Sequence, residues 1–234
     1  MKKLILLLFI PLVSFGQTNE AIKFYNSAGK LYNKLASYEG CGTELECNKI
    51  YNESFSNYSK AIELSPNYER AYYFRALLQH NFGQDYYGSI SDLTRAIELN
   101  PNKADYPQLR ALSKRNLNDY NGSIEDYTKA IKLDPLNPWN WNGRAEMRDK
   151  INYIEGALND YNVAVEVGLY YNKEYDESYD YTKDILVNRA LFLNRISKPI
   201  DACNDVKRAI SLGYEISSYS KEDSPIRILF SKCK

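Results

Sequence analysis

Five segments of this chain repeat one pattern at a nearly fixed interval, and that restricts the fold more than any other feature. A small residue opens each segment (Ser54, Ser89, Ser123, Ala157, Ala202) and an alanine follows seven residues later (Ala61, Ala96, Ala130, Ala164, Ala209). An aliphatic pair closes it: Ile62/Leu64, Ile97/Leu99, Ile131/Leu133, Val165/Val167 and Ile210/Leu212. Three segments then end at Pro66, Pro101 and Pro135, spaced 35 and 34 residues apart. Spacings of three, four and seven put the apolar side chains on one helical stripe, and a proline ends such a helix because it lacks the N–H. Upstream of the last four segments stands an Arg-Ala pair, at Arg75-Ala76, Arg110-Ala111, Arg144-Ala145 and Arg189-Ala190. The interval leaves room for one more helix before each segment. A unit of two helices cannot bury its apolar face alone, so successive units must stack.

The packing follows from the small residues. Gly29, Ala76, Ala111, Ala145 and Ala190 fall midway along each first helix, opposite the small residue that opens the second, and let the two backbones approach closely. Tyr72, Trp141 and Leu186 on first helices, with Tyr58, Leu93, Tyr127, Tyr161 and Val206 on second ones, fill the space between. Repeat length and pattern resemble the tetratricopeptide repeat (TPR), a helix–turn–helix unit of 34 residues. The resemblance implies an all-α fold: an α-solenoid of about five such repeats with a C-terminal capping helix. The repeats are expected near 21–66, 68–101, 103–135, 137–169 and 183–214 within a domain spanning 17–234, and the cap at 224–234.

Departures from the pattern carry their own expectations. Gly29 to Ser54 spans more residues than the equivalent interval in later repeats, and the surplus, Ala36 to about Asn48, reads as a loop. Pro107 replaces a bulky first-helix residue, so that helix should begin at or near it. A surplus between the fourth and fifth repeats lies near Tyr170–Asp180, acidic and rich in tyrosine, and reads as an extended helix with a possible docking role. Each arginine of the Arg-Ala pairs travels with an aspartate of its second helix: Asp92, Asp126, Asp160 and Asp205. The expectation is a ladder of Arg–Asp pairs between packed helices rather than an anion site. Ser224-Pro225 signals a helix start, with Ile226, Phe230 and Cys233 on one face.

The first 16 residues have the layout of an export signal: Lys2-Lys3, an apolar run from Leu4 to Val13, then Ser14-Phe15-Gly16. The run is too short to span a bilayer, so no stable membrane insertion is expected after cleavage, and a periplasmic or secreted location follows. Beyond residue 16 there are 28 basic and 30 acidic residues, without the basic excess that nucleic acid demands. Export places the four cysteines where disulfides persist. Of the three possible connectivities the favoured one is Cys41–Cys47 with Cys203–Cys233. Neither metal nor cofactor is expected, since His80 is the sole histidine and the cysteines lack a second ligand pair.

No phosphate-cradling glycine loop, Gly-x-Ser-x-Gly or His-Glu-x-x-His occurs, and no acid–base pair stands out, so a non-catalytic scaffold is expected. The resemblance implies that first-helix residues turned away from the second helix line a concave face. By position these are Arg70, Tyr73, Leu77 and His80, then Gln108, Leu112 and Arg115, then Trp139, Asn142 and Glu146. Lys23, Asn26 and Lys30 precede them, and Asp149, Asp184, Val187 and Leu191 follow. The mixture of aromatic, aliphatic and charged groups suits a protein or peptide segment. A glycan-binding scaffold is the alternative suggested by the tyrosines and Trp139, and a spacer without a groove ligand is the third reading.

Overall fold

The structure is a computed structural model; it describes residues 17–37, 41–175, 181–215 and 224–233. The export signal at 1–16 lies outside the described residues, as do 176–180 of the Tyr-rich insertion. Among the described residues there are eleven α-helices and no strands. They are α1 (Asn19–Ala36), α2 (Glu44–Leu64), α3 (Glu69–Leu78), α4 (Tyr86–Leu99), α5 (Asp105–Asn116) and α6 (Tyr120–Leu133). After them come α7 (Pro138–Lys150), α8 (Ile154–Tyr175), α9 (Thr182–Arg195), α10 (Pro199–Ser211) and α11 (Pro225–Lys232). The helices form two compact units, divided between Gly83 and Gln84. The expected second repeat is therefore split: α3 belongs to the first unit and α4 to the second. A five-residue π-helical turn, Gln79–Gly83, ends α3, and Gln84 takes a positive φ of 49°.

Helix ends follow from local chemistry. Ser65, Asn100 and Asp134, each preceding a proline, sit at φ of −144°, −145° and −140°, outside the helical region that a following proline disfavours. The fourth repeat has no proline there, and α8 runs on to Tyr175. The turns from first to second helix also repeat. Asn118, Asn152 and Ser197 adopt φ near +60°, and the next N–H returns to the carbonyl of Lys114, Arg148 or Leu193. This is the left-handed C-cap that satisfies the last carbonyls of a helix. Asp85 and Asp119 then cap α4 and α6 by accepting from Gly88 and Gly122 N–H.

The small columns bring the helices together as anticipated. Ser123 Oγ donates to the Ala111 carbonyl at 2.8 Å, and Ser54 Oγ to the Ala28 carbonyl at 3.0 Å, so backbone and opposing side chain touch. In the first repeat it is thus Ala28, fully buried, and not Gly29 that occupies the close-approach position. The expected loop over Ala36–Asn48 is also shorter than anticipated. Thr43 caps α2, its Oγ accepting from Glu46 N–H, so Glu44 onward, Cys47 included, is helical. Cys41 is bonded to Cys47 with Cα atoms 5.1 Å apart, and Cys203 to Cys233 with Cα atoms 5.0 Å apart. The second bridge ties α10 to the end of α11, whose Leu229 and Phe230 are buried in the core of the second unit.

The first unit is held by aromatic packing. Tyr25 meets the rings of Tyr58, Tyr68 and Phe74 at centroid distances of 5.9, 4.9 and 5.7 Å. The second unit has an apolar core around Tyr161, Ile185, Leu186, Phe192, Val206 and Leu229, and adds to it a ladder of buried ion pairs. Arg110 grips Asp126 through two bonds of 2.8 and 2.7 Å, Arg144 grips Asp160 at 2.8 and 2.8 Å, and Arg189 grips Asp205 at 2.7 and 2.6 Å. Two-pronged charge-assisted bonds of this kind are geometrically specific and strong. The remaining Nη1 of each arginine reaches backward, to Thr94, Thr128 and Asn162 respectively, at 2.9, 3.1 and 3.0 Å. One guanidinium thereby joins three helices. Arg75 and Asp92 fall in different units; in the first, Arg75 Nη1 donates to Ser59 Oγ at 3.0 Å. A second cation sits on two of the carboxylates, Lys114 on Asp126 at 2.8 Å and Arg148 on Asp160 at 2.6 Å. Burial alone would raise the Asp126 carboxyl, but the bonds and charges of Arg110 and Lys114 outweigh it and hold it below the usual carboxylate range.

Candidate functional site

Within the second unit, α5, α6, α7 and α9 enclose a cavity of about 260 Å³. Gln108, Leu112 and Arg115 enter it from α5, Trp139, Asn142, Gly143 and Glu146 from α7, Tyr127 from α6 and Asn188 from α9. The α5 and α7 residues share one helical face because they stand three or four apart. Six of the ten positions anticipated for the concave face are therefore gathered in one place. Arg70, Tyr73, Leu77 and His80 are in the first unit, on α3 and the π-turn that follows it. There Arg70 lies over the Tyr25 ring at 5.6 Å and Tyr73 meets Phe74 edge-on at 5.1 Å.

The cavity is built of three kinds of wall. Amides line one: Asn188 Nδ2 donates to Asn142 Oδ1 at 3.2 Å, and Asn142 is itself buried. Another is charged, with Arg115 Nη1 bonded to Glu146 Oε2 at 3.2 Å while both side chains stay partly open to solvent. The third is apolar, formed by Leu112 and by Trp139, whose ring is held edge-on by Tyr181 at a centroid distance of 5.9 Å. Tyr127 forms the floor. Its ring lies so close to α7 that a Cβ at Gly143 would fall 2.4 Å from Cζ, so only glycine admits it. The Tyr127 residue is 2% exposed, and its hydroxyl has no hydrogen-bond partner among the described residues. Burial pushes that phenol well above its ordinary pKa, with Arg115 working against the shift and Glu146 adding to it, so it is a donor at any physiological pH.

Tyr127, Gly143 and Asn188 were not among the anticipated site residues. Tyr127 is a repeat-core residue by position, and only the glycine directly before Arg144-Ala145 hints that its ring needs room on the neighbouring helix. Asn188 lies beside two residues of the anticipated face, Val187 and Leu191, and Val187 is buried. Among the described residues no group of three or more potential metal ligands converges, and no helix is long and apolar enough to cross a membrane.

Antiparallel helix pairs, recurring at a fixed interval and meeting through small residues, place this molecule in the α-solenoid class of helical-repeat proteins. A family model described as tetratricopeptide repeat matches residues 108–135, which cover most of α5 and all of α6. The chain thus carries a tetratricopeptide-repeat match over its third repeat and has the fold of a helical-repeat solenoid. Its fold is similar to that of MamA (41-end) from Desulfovibrio magneticus RS-1, with a TM-score of 0.66 at 11% identity, covering 84% of this chain and 97% of that one. It is also similar to YrrB, described as a TPR protein with an unusual peptide-binding site, with a TM-score of 0.62 at 14% identity over 91% of this chain and 92% of that one. No curated protein matches the sequence.

Proposed function

We propose that this protein is a non-catalytic scaffold, exported to the periplasm or the medium, that docks an extended segment of a partner protein in the cavity between α5, α7 and α9. The observation that carries the reading is the convergence there of three side-chain amides, Gln108, Asn142 and Asn188, beside Trp139 and Leu112. A primary amide can accept from one backbone N–H and donate to one backbone C=O, so a row of amides suits an extended chain whatever its sequence. The tryptophan and leucine give apolar side chains a surface to cover, and the Arg115–Glu146 pair can open to meet a charge of either sign. The open hydroxyl of Tyr127 supplies one more donor at the base. Description of the fold relative YrrB as carrying a peptide-binding site supports the same direction. Location outside the cytoplasm rests on the layout of residues 1–16 and on the use of all four cysteines in two bridges.

Random-peptide display against the purified chain from residue 17 tests the reading. Selected peptides should lose at least about tenfold in affinity on Asn142→Ala and on Trp139→Ala, as expected when a buried polar or aromatic contact is removed from an interface. Circular dichroism should be unchanged for both variants. Failure to select any peptide, or equal binding by both variants, would sink the assignment of this cavity. Fractionation of cells expressing a tagged full chain tests the export element separately, with a cytoplasmic product of undiminished mass counting against it.

A further inference from the structure

The ion-pair ladder changes at its last rung, and the change opens a second cavity. In the third repeat the carboxylate of Asp126 receives Arg110 and then Lys114, one helical turn later; in the fourth, Asp160 receives Arg144 and then Arg148. Both second cations also donate to a carbonyl at the start of the facing helix, Lys114 to Gly122 and Arg148 to Gly156, at 3.3 Å each. In the fifth repeat Arg189 grips Asp205 as before, but the residue one turn later is Leu193. The glycine four positions before the aspartate has become Asp201. Where the second cation would lie there is a cavity of about 380 Å³, walled by Leu158 and Leu193 and edged by Asn162, Asn204, Asp201 and Asp205. Asp205 is 5% exposed and has one cationic partner among the described residues, Arg189, where its counterparts have two or more. Lys198 also lines the rim, yet makes no ion pair with either carboxylate among the described residues.

The geometry points to this cavity as a binding site for a guanidinium group on an alkyl stem, the end of an arginine side chain supplied by another molecule. The reasoning is internal to the molecule. Asp160 Oδ2 accepts both from Arg144 Nε at 2.8 Å and from Arg148 Nη1 at 2.6 Å, so one oxygen of this rung accommodates two guanidinium groups at once. Asp205 Oδ2 accepts from Arg189 Nε at 2.7 Å and no other cation among the described residues reaches it. Asp201 adds a second carboxylate one turn away on α10, and a planar fork can address two acceptors where a compact ammonium addresses one well. The aliphatic walls suit the methylenes of the stem. This site lies apart from the cavity lined by Tyr127 and does not depend on what binds there.

Titration of the purified protein with Nα-acetyl-arginine amide, followed through the side-chain amide NMR signals of Asn162 and Asn204, tests the inference. Saturable shifts with a dissociation constant in the millimolar range are expected for one such contact at a partly open site. The lysine analogue should bind more weakly and the uncharged citrulline analogue should not saturate. L193R, which restores the missing cation from within, should abolish the shifts, and Asp201→Asn should weaken binding by about threefold to tenfold. Lys198→Ala should leave binding equal or tighter, since it removes a like charge. Absence of saturable shifts, equal response to citrulline, or full binding by either L193R or Asp201→Asn would overturn the proposal. Methylguanidinium distinguishes the source: if it saturates as tightly as the arginine derivative, the site reads free guanidinium compounds and the stem contributes nothing.

Discussion

The two units solve the same problem, packing first helices against second helices, with different chemistry. In the first, Tyr25, Tyr58, Tyr68 and Phe74 interlock through ring edges and faces, and the buried Tyr58 hydroxyl has no hydrogen-bond partner among the described residues. In the second, each first helix projects an arginine that is charge-neutralised on one side and hydrogen-bonded on the other. Aromatic packing tolerates small shifts, because dispersion varies smoothly with distance. A two-pronged ion pair in a dry interface does not: intact it contributes modestly, but broken it leaves an unpaired buried charge. The first unit should therefore yield gradually to substitution and the second abruptly.

The largest effect expected is that of Arg144→Ala, which leaves the fully buried Asp160 with Arg148 alone and should cost about 3–5 kcal/mol. Chemical denaturation checks it, and a loss below about 1 kcal/mol would show that the rung is ornamental. Next come the disulfides. Cys203–Cys233 closes 30 residues and Cys41–Cys47 closes 6, so chain entropy assigns about 3–4 kcal/mol to the former and about 2 kcal/mol to the latter. Cys-to-Ser pairs made in each unit separately should rank in that order by melting temperature.

Acid sharpens the contrast further. The Asp126 carboxyl titrates below its ordinary 3.8 because its hydrogen bonds and neighbouring cations outweigh burial. Its contribution is complete above that ordinary value and is lost as pH falls through the lower folded one. Asp126→Asn should cost about 2–3 kcal/mol near neutrality, and the gap between variant and parent should close in melts below about pH 4. A gap that persisted at pH 2 would mean the carboxylate charge is not what the site uses. The smallest effect expected is Tyr58→Phe. Removing a buried hydroxyl that bonds nothing among the described residues should be neutral or stabilise by up to about 1 kcal/mol, and a clear loss would show that the hydroxyl has a partner.

Much of this was legible in the sequence because its causes are local or periodic. The prolines at 66, 101 and 135 announce where second helices stop, and the arginine and aspartate columns announce their pairing. The misreadings also have particular causes. Ala28 and Gly29 are adjacent small residues, and only the Ser54 hydroxyl, reaching across to the Ala28 carbonyl, chooses between them. The N-terminal stretch of α2 reads as a loop because it is surplus to the interval of the later repeats, although Thr43 and Glu46 have the spacing of a capping box. The backward bonds to Thr94, Thr128 and Asn162 are non-local, yet each acceptor stands two residues after an aspartate of the ladder column (Asp92, Asp126, Asp160), so a periodic signal existed. Tyr127 in the cavity floor is different in kind. Its role depends on the gap left by Gly143 on another helix, which no column of one sequence reveals.

The backward bond of each arginine also governs how such an array can grow. Every unit of the ladder hands an oxygen acceptor forward, two residues past its aspartate, and takes one from the unit before it. A duplicated block from 103 to 135 would arrive with its own ion pair and with Thr128 ready for the next arginine, so it could be spliced in without orphaning a charge. Two residues past Asp205, by contrast, stands Lys207, an ammonium where a successor's guanidinium would require an acceptor. The ladder carries its own stop mark there, on the helix that the Cys203–Cys233 bridge fastens to α11.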